Sequence, residues 1–444
     1  LTIPSIPYER YTLTNGLTVL LSEDHTAPVV HVNVWYHVGS KNELPGRTGF
    51  AHLFEHMMFQ GSQHVARGDH IKIMEDAGAN FNGQTGEDRT QYFATLPVNY
   101  LETVLWLESD RMGYLLPALD QAKLDNQRDV VKNERRLRVD NQPYGSEDEV
   151  MRAALYPAAN PYSWPVIGSM ADLSAASLDD VKAFFRRFYA PNNATLVICG
   201  DIDIAKTKAM VDRYFGAIPA GAPIERPIVV PAVLTAEKRL VLEDVKATQP
   251  QLVIAWPGVG LHSGDMAPLD ALAGVLTADR TSRLTKLLVF DRRLATGVSA
   301  FDLNSEDDGQ FGVRVSPLPG ASMTEIERLV DSVVADVQAT PPPERDVQRD
   351  TRRAFVGTVL SMESVDAKAG ELVSGQVFNG DALHYKADLE AMRAVTPADV
   401  QRVARQYLGR GRVVLSMVPK GKLDLVSQPT SAYINVTPKG EAGQ

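Results

Sequence analysis

The chain has 444 residues, too many for one ordinary hydrophobic core, so about two to four domains are expected. Apolar residues make up 44% and charged residues 23%, the composition of a soluble globular protein. A formal net charge of −10 argues against nucleic acid and anionic membranes as main partners. No uninterrupted apolar run reaches the roughly 18 residues of a spanning helix, so no membrane span is expected. The chain starts at Leu1 rather than Met, as after removal of a leader or trimming. Removal of a leader would make it an exported, periplasmic protein; a cytoplasmic one is the alternative.

In chain order, Tyr11–Leu21 reads as a hairpin around Asn15-Gly16. Val29–His37 alternates and reads as a strand. Helical periodicity predicts helices over Gly49–Phe59, Tyr100–Met112, Gln121–Val139 and Leu178–Tyr189. The single cysteine, Cys199, sits in the apolar run Leu196-Val197-Ile198-Cys199-Gly200 and reads as a buried strand residue that can form no internal disulfide. Pro219, Pro223, Pro227 and Pro231 disfavour helix and stiffen an extended connection, which places a linker at 219–237. Beyond it the pattern repeats. Glu23-Asp24, followed by Val29–Trp35, is matched by Glu243-Asp244, followed by Gln251–Trp256, 220 positions on. Asp179-Asp180-Val181-Lys182 opens a helix and leads to the β-rich run Thr195–Ile198. Ala398-Asp399-Val400-Gln401 and Val413–Met417 repeat that layout at an offset of 218 or 219. The chain is therefore read as two homologous halves, 1–218 and 238–444. Each is α+β, with helices packed on a mainly antiparallel sheet.

The chemistry lies in Thr48-Gly49-Phe50-Ala51-His52-Leu53-Phe54-Glu55-His56-Met57-Met58-Phe59. On a helix, His52 and His56 are one turn apart and share a face. Their imidazoles can converge on one ion at about 2.0–2.1 Å, the zinc–nitrogen distance. Glu55 sits beside the same face, where it can take a proton from a water at the metal. With nine histidines, a chance His-x-x-Glu-His is expected on the order of 0.01 times. A catalytic zinc needs a third protein ligand and an open position. The helix from Gln121 offers Asp125, Asp129 and Glu134, and spacing alone does not choose among them.

These residues resemble those of the pitrilysin-type inverzincin metallopeptidases, and within them the branch containing mitochondrial processing peptidase and its bacterial relatives. The resemblance covers nearly the whole chain. It is carried by the inverted motif, by Phe59-Gln60-Gly61-Ser62, by Phe81-Asn82-Gly83-Gln84-Thr85, by Val130-Val131-Lys132-Asn133-Glu134-Arg135-Arg136 and by the duplicated layout. It implies a zinc metalloendopeptidase with one zinc per chain, held by His52, His56 and Glu134, and Glu55 as the catalytic residue. It also implies that Phe81, Asn82, Gly83 and Gln84 form a sheet edge that binds extended peptide substrate by strand addition.

The sequence departs from the family pattern twice. A glutamate often found seven residues before the ligand glutamate is Gln127 here; two helical turns place it on the face of Glu134, where it can serve as a hydrogen-bond donor behind the ligand. Active relatives also carry an Arg and a Tyr in the metal-free half, after a Ser-Arg-Leu stretch. Counting from Ser282-Arg283-Leu284, those positions are Val289 and Thr296, which supply neither guanidinium nor phenol; Arg292 or Arg293 are nearby substitutes. The expectation is a heterodimer in which a homologous metal-free subunit supplies the pair. The competing readings are a non-catalytic scaffold or core subunit of the same superfamily, and a metal-dependent hydrolase of non-peptide substrates.

Overall fold

The structure, a computed structural model, describes residues 2–226, 228–428 and 434–435. Pro227 of the linker and most of the stretch after Gln428 lie outside the described residues, as does Leu1. The fold is α+β, with two six-stranded sheets carrying helices. No helix among the described residues is long and apolar enough to cross a membrane.

The chain divides into two compact units that interleave along the sequence. The first comprises Leu1–Asn133, Val166–Pro227 and Gly357–Ala387; the second comprises Glu134–Pro165, Ile228–Val356 and Asp388–Gln444. The described residues between Ile218 and Lys238 form neither helix nor strand.

In the first unit, β1 (Glu9–Thr12), β2 (Thr18–Glu23), β3 (Val29–Tyr36), β4 (Asn80–Thr85), β5 (Thr90–Pro97) and β6 (Ala194–Gly200) lie in the order β1-β2-β6-β3-β5-β4. Only β2 and β6 run parallel. The hairpin expected around Asn15-Gly16 joins β1 to β2, with Gly16 at φ 89° supplying the left-handed turn residue. Strand β3 is buried on both faces. Val30, Val32, Val34 and Tyr36 join the core with residues of the helices Phe50–Met57, Leu101–Tyr114 and Leu178–Phe188. His31, Asn33 and Trp35 point the other way yet are only 2, 4 and 5% exposed. That face is covered by the helix Val365–Ser374 and by Phe378, whose ring meets Trp35 at 6.0 Å and His37 at 5.5 Å.

The second unit repeats the plan. Its strands are β7 (Lys238–Asp244), β8 (Gln251–Pro257), β9 (Ala295–Asn304), β10 (Gly309–Pro317), β11 (Val413–Pro419) and β12 (Ile434–Asn435), in the order β12-β7-β11-β8-β10-β9. From β7 to β11 this is the order of β2 to β6, the structural form of the sequence repeat. Val241, Leu252, Ile254, Phe311 and Val313 face helices that include Met266–Thr277 and Pro397–Tyr407. The opposite face, with Leu240, Val253, Leu415 and Met417, is covered by Val150, Met151, Ala154 and Leu155 of the helix Glu147–Leu155. The two covering helices begin 218 positions apart. Each comes from the part of the chain that supplies the other sheet.

Candidate active site

The helix Phe50–Met57 is held at both its start and its inner face. Gly49, at φ 85°, makes the entry turn, and the buried start of the helix is closed by Glu43. The buried Glu43 carboxylate accepts from the N–H groups of Gly49 at 3.0 Å and Ala51 at 2.8 Å. A carboxylate there satisfies donors that the first helical turn leaves unpaired and complements the helix dipole. Thr48 is tied in turn to Asp172, donating both its N–H and its hydroxyl. On the inner face Leu53, Phe54 and Met57 are buried, and the Phe54 ring packs 4.2 Å from that of Tyr189.

This anchoring leaves His52 and His56 half-buried on the remaining face, ring centroids 4.8 Å apart and nearly perpendicular at 85°. Glu134 comes to them from the helix Gln121–Arg135. One ligand atom each from His52, His56 and Glu134 all lie within 4.8 Å of one another. Asp125 and Asp129, the other carboxylates of that helix, are exposed, and Asp125 is paired with Arg128. The helix predicted over Gln121–Val139 is α-helical only to Arg135; Arg136–Asp140 forms a wider π turn. Arg135, adjacent to Glu134, is 2% exposed and bonds Glu149 at 2.7 Å, which pins the end of the helix that carries Glu134. Arg138 pairs with Glu134 at 2.7 Å from an exposed position. Gln127 is buried, and its side-chain amide donates to Asn126 at 2.9 Å.

Glu55 is 8% exposed and lies against β4, the edge strand. Phe81, Gly83 and Thr85 face inward along β4, while Asn80, Asn82 and Gln84 are exposed. The Thr85 hydroxyl donates to Glu55 Oε2 at 2.6 Å, a contact that motif reading missed although the period-2 alternation of the strand could have found it. A Cβ on Gly83 would come within 2.9 Å of Glu55 Oε1, so glycine is what lets the strand lie this close. Gln84 accepts from Gln91, which accepts in turn from Asn33, a side-chain chain running inward from the edge. In the other unit, Val289 packs on the core and the Thr296 hydroxyl donates to Ser316 O at 3.1 Å. Arg292 pairs with Glu325 at 2.6 Å, and Arg293 sits at a left-handed φ of 51°.

The repeat offset also identifies the counterpart of this centre in the second unit. At 218 positions on, His52, Glu55 and His56 are replaced by Asp270, Ala273 and Gly274. Thr85 and Asn304 both open their hairpins, paired with Thr90 and Gly309, so Gly83 corresponds to Asp302. The carboxylate of Asp350, from the helix Glu344–Ser361, lies where a Gly274 side chain would be. Burial pushes Asp302 up to about 7, with the charge of Asp270 adding to it, and Asp270 is raised as well, with Asp350 adding. Asp350 is also raised by burial, against the opposing pull of Arg353 and Arg349. The folded state thus holds protons on these carboxyls that the unfolded chain releases near pH 4, and their own contribution to stability falls as pH rises from about 4 to 7. Asp302→Asn is expected to raise the melting temperature at pH 8 and to leave it unchanged at pH 4. Equal melting of variant and wild type at pH 8 would refute this.

Residues 18–163 match the family described as Insulinase (Peptidase family M16), and residues 175–352 match its Peptidase M16 inactive domain. The chain is similar to the zinc protease PqqE of Helicobacter pylori, at 28% identity over 406 residues that cover 90% of each chain. It is also similar to the beta subunit of mitochondrial-processing peptidase of Blastocladiella emersonii, at 25% identity covering 92% of this chain and 87% of that one. Among solved structures, a protease from Helicobacter pylori superposes with a TM-score of 0.86 at 24% identity, covering 94% of this chain and all (100%) of that one. A peptidase M16 inactive domain from Pseudomonas fluorescens gives 0.79 at 20% identity, covering 93% and 98%. With the inverted histidine motif in the part that matches the peptidase domain, and acidic or small residues at the equivalent positions of the part that matches the inactive domain, the chain belongs to peptidase family M16.

Proposed function

We propose that the chain is the metal-bearing subunit of a zinc endopeptidase that hydrolyses peptides or unfolded protein segments. The observation that carries this reading is the convergence of His52, His56 and Glu134 within 4.8 Å beside a buried Glu55. Two imidazole nitrogens and one carboxylate oxygen are a donor set that fits a catalytic zinc. Zinc bound there supplies a Lewis acid and lowers the pKa of water to about 7.

The protein's own residues do the rest. Glu55 accepts a proton from the attacking water and returns it to the leaving amine nitrogen as the C–N bond breaks. Among the described residues strand β4 pairs on one side only, with β5, and an extended substrate paired along Phe81–Gln84 gains backbone hydrogen bonds that require no particular side-chain sequence. Gln127 backs the ligand helix as a buried polar residue. Val289 and Thr296 leave the second half without the Arg and Tyr of active relatives, which favours a homologous partner subunit that provides them.

The test is peptide hydrolysis by the purified chain, with and without a homologous metal-free chain that carries the pair. We expect about one zinc per chain and loss of activity on chelation with recovery on adding zinc. Addition of the partner is expected to raise the rate by roughly a hundredfold, the scale of a lost oxyanion donor. Equal rates with and without the partner would remove the heterodimer from the proposal. A chain that binds zinc yet cleaves no peptide in either state would favour the scaffold reading.

A further inference from the structure

Resting on the reading of Glu55 as the base, we propose that Thr85 is a positioning residue for the hydrolytic step, its hydroxyl fixing the orientation of the Glu55 carboxylate. A glutamate carboxylate turns easily about its last torsion, where the energy wells are broad. Here one of its oxygens is committed: Oε2 accepts from the Thr85 hydroxyl at 2.6 Å, a short bond to a charged acceptor. The other, Oε1, lies against Gly83, where the missing side chain leaves it room. Gly83 and Thr85 are two residues apart on the inward face of β4, so one strand both opens the space and supplies the donor. The strand proposed to take the substrate and the group that aligns the base are one rigid element, and the scissile bond and the base are held in common register.

The second repeat supplies an internal comparison. Where the base position holds Ala273, the Thr85 position holds Asn304, whose amide turns to Val259 O at 2.9 Å and Asp302 at 3.3 Å. The hydroxyl is absent from the repeat in which there is no carboxylate for it to orient.

The experiment compares Thr85→Val, Thr85→Ala and Thr85→Ser in the full chain, with its partner if the wild type requires one, using a fluorogenic unstructured peptide. Zinc content and melting temperature are measured alongside, and Glu55→Gln serves as the control. Thr85→Val and Thr85→Ala should retain zinc and lower kcat about tenfold or more, with KM within about twofold. Thr85→Ser should recover most of the rate, which a merely structural methyl contact would not allow. If Thr85→Val and Thr85→Ala keep wild-type kcat, or Thr85→Ser is as slow as they are, the positioning role is wrong while Glu55 stands. If Glu55→Gln itself stays active, the reading of the base is wrong and the role of Thr85 falls with it.

Discussion

Replacing Glu55 by Gln is expected to lower kcat for peptide hydrolysis by about 10²- to 10⁴-fold while zinc stays bound. The two effects separate because the residues differ in position. His52, His56 and Glu134 form the converging set, whereas Glu55 lies to the side of it, against the edge strand. The substitution keeps the shape of the side chain, and the amide oxygen of Gln still accepts from Thr85, so β4 and the helix Phe50–Met57 keep their places. What is lost is the capacity to hold a proton between attack and departure. Metal analysis of the purified variant, beside its peptidase rate, checks both halves of the expectation. A variant within tenfold of the wild-type rate would show that proton transfer is handled elsewhere.

The second large effect is on the metal. Glu134→Gln is expected to weaken zinc affinity by at least about a hundredfold, more than loss of a supporting contact does, and to reduce peptidase activity in step with zinc content. The neutral amide cannot replace the charge of the carboxylate, and two imidazoles alone leave the ion with too few protein ligands. The fold should survive, because Arg135 with Glu149, not Glu134, pins that end of the helix. Asp129→Asn, on the exposed side of the same helix, is the matched control and should bind zinc as the wild type does. Metal titration by calorimetry gives the comparison directly. Equal zinc affinity in Glu134→Gln and wild type would mean that another group completes the set.

What could be read from the residues alone follows from which features are local. His52, Glu55 and His56 were legible because a four-residue spacing fixes their face on a helix without any tertiary knowledge. The repeat was legible because two matches recur at nearly one offset, and the common strand order of β2–β6 and β7–β11 agrees with it. The third carboxylate was not separable by spacing from Asp125 and Asp129, since the approach of one helix to another is a tertiary fact; the family resemblance named Glu134. Glu43 was missed because it closes the helix start from six residues before Gly49, outside the spacing of an ordinary cap. The π turn after Arg135 has no propensity signal to announce it. Strand β3 looked half-polar because His31 and Asn33 alternate with valines, and only a helix more than 300 positions later makes that second face buried.

That covering helix bears on what counts as a separable piece of this protein. The proline-bearing connection suggests a place to cut, and a cut there would divide the chain into its two repeats. It would not divide the fabric. Each product would carry away the lid of the other's sheet: the N-terminal one would leave with Val150, Met151 and Leu155 and without the wall that shields His31 and Trp35. A repeat of this kind is whole only as one of a pair, whether the two are joined by a peptide or meet as separate chains. The duplication is thus written into the cores themselves, as a mutual loan of helices that neither half can repay alone.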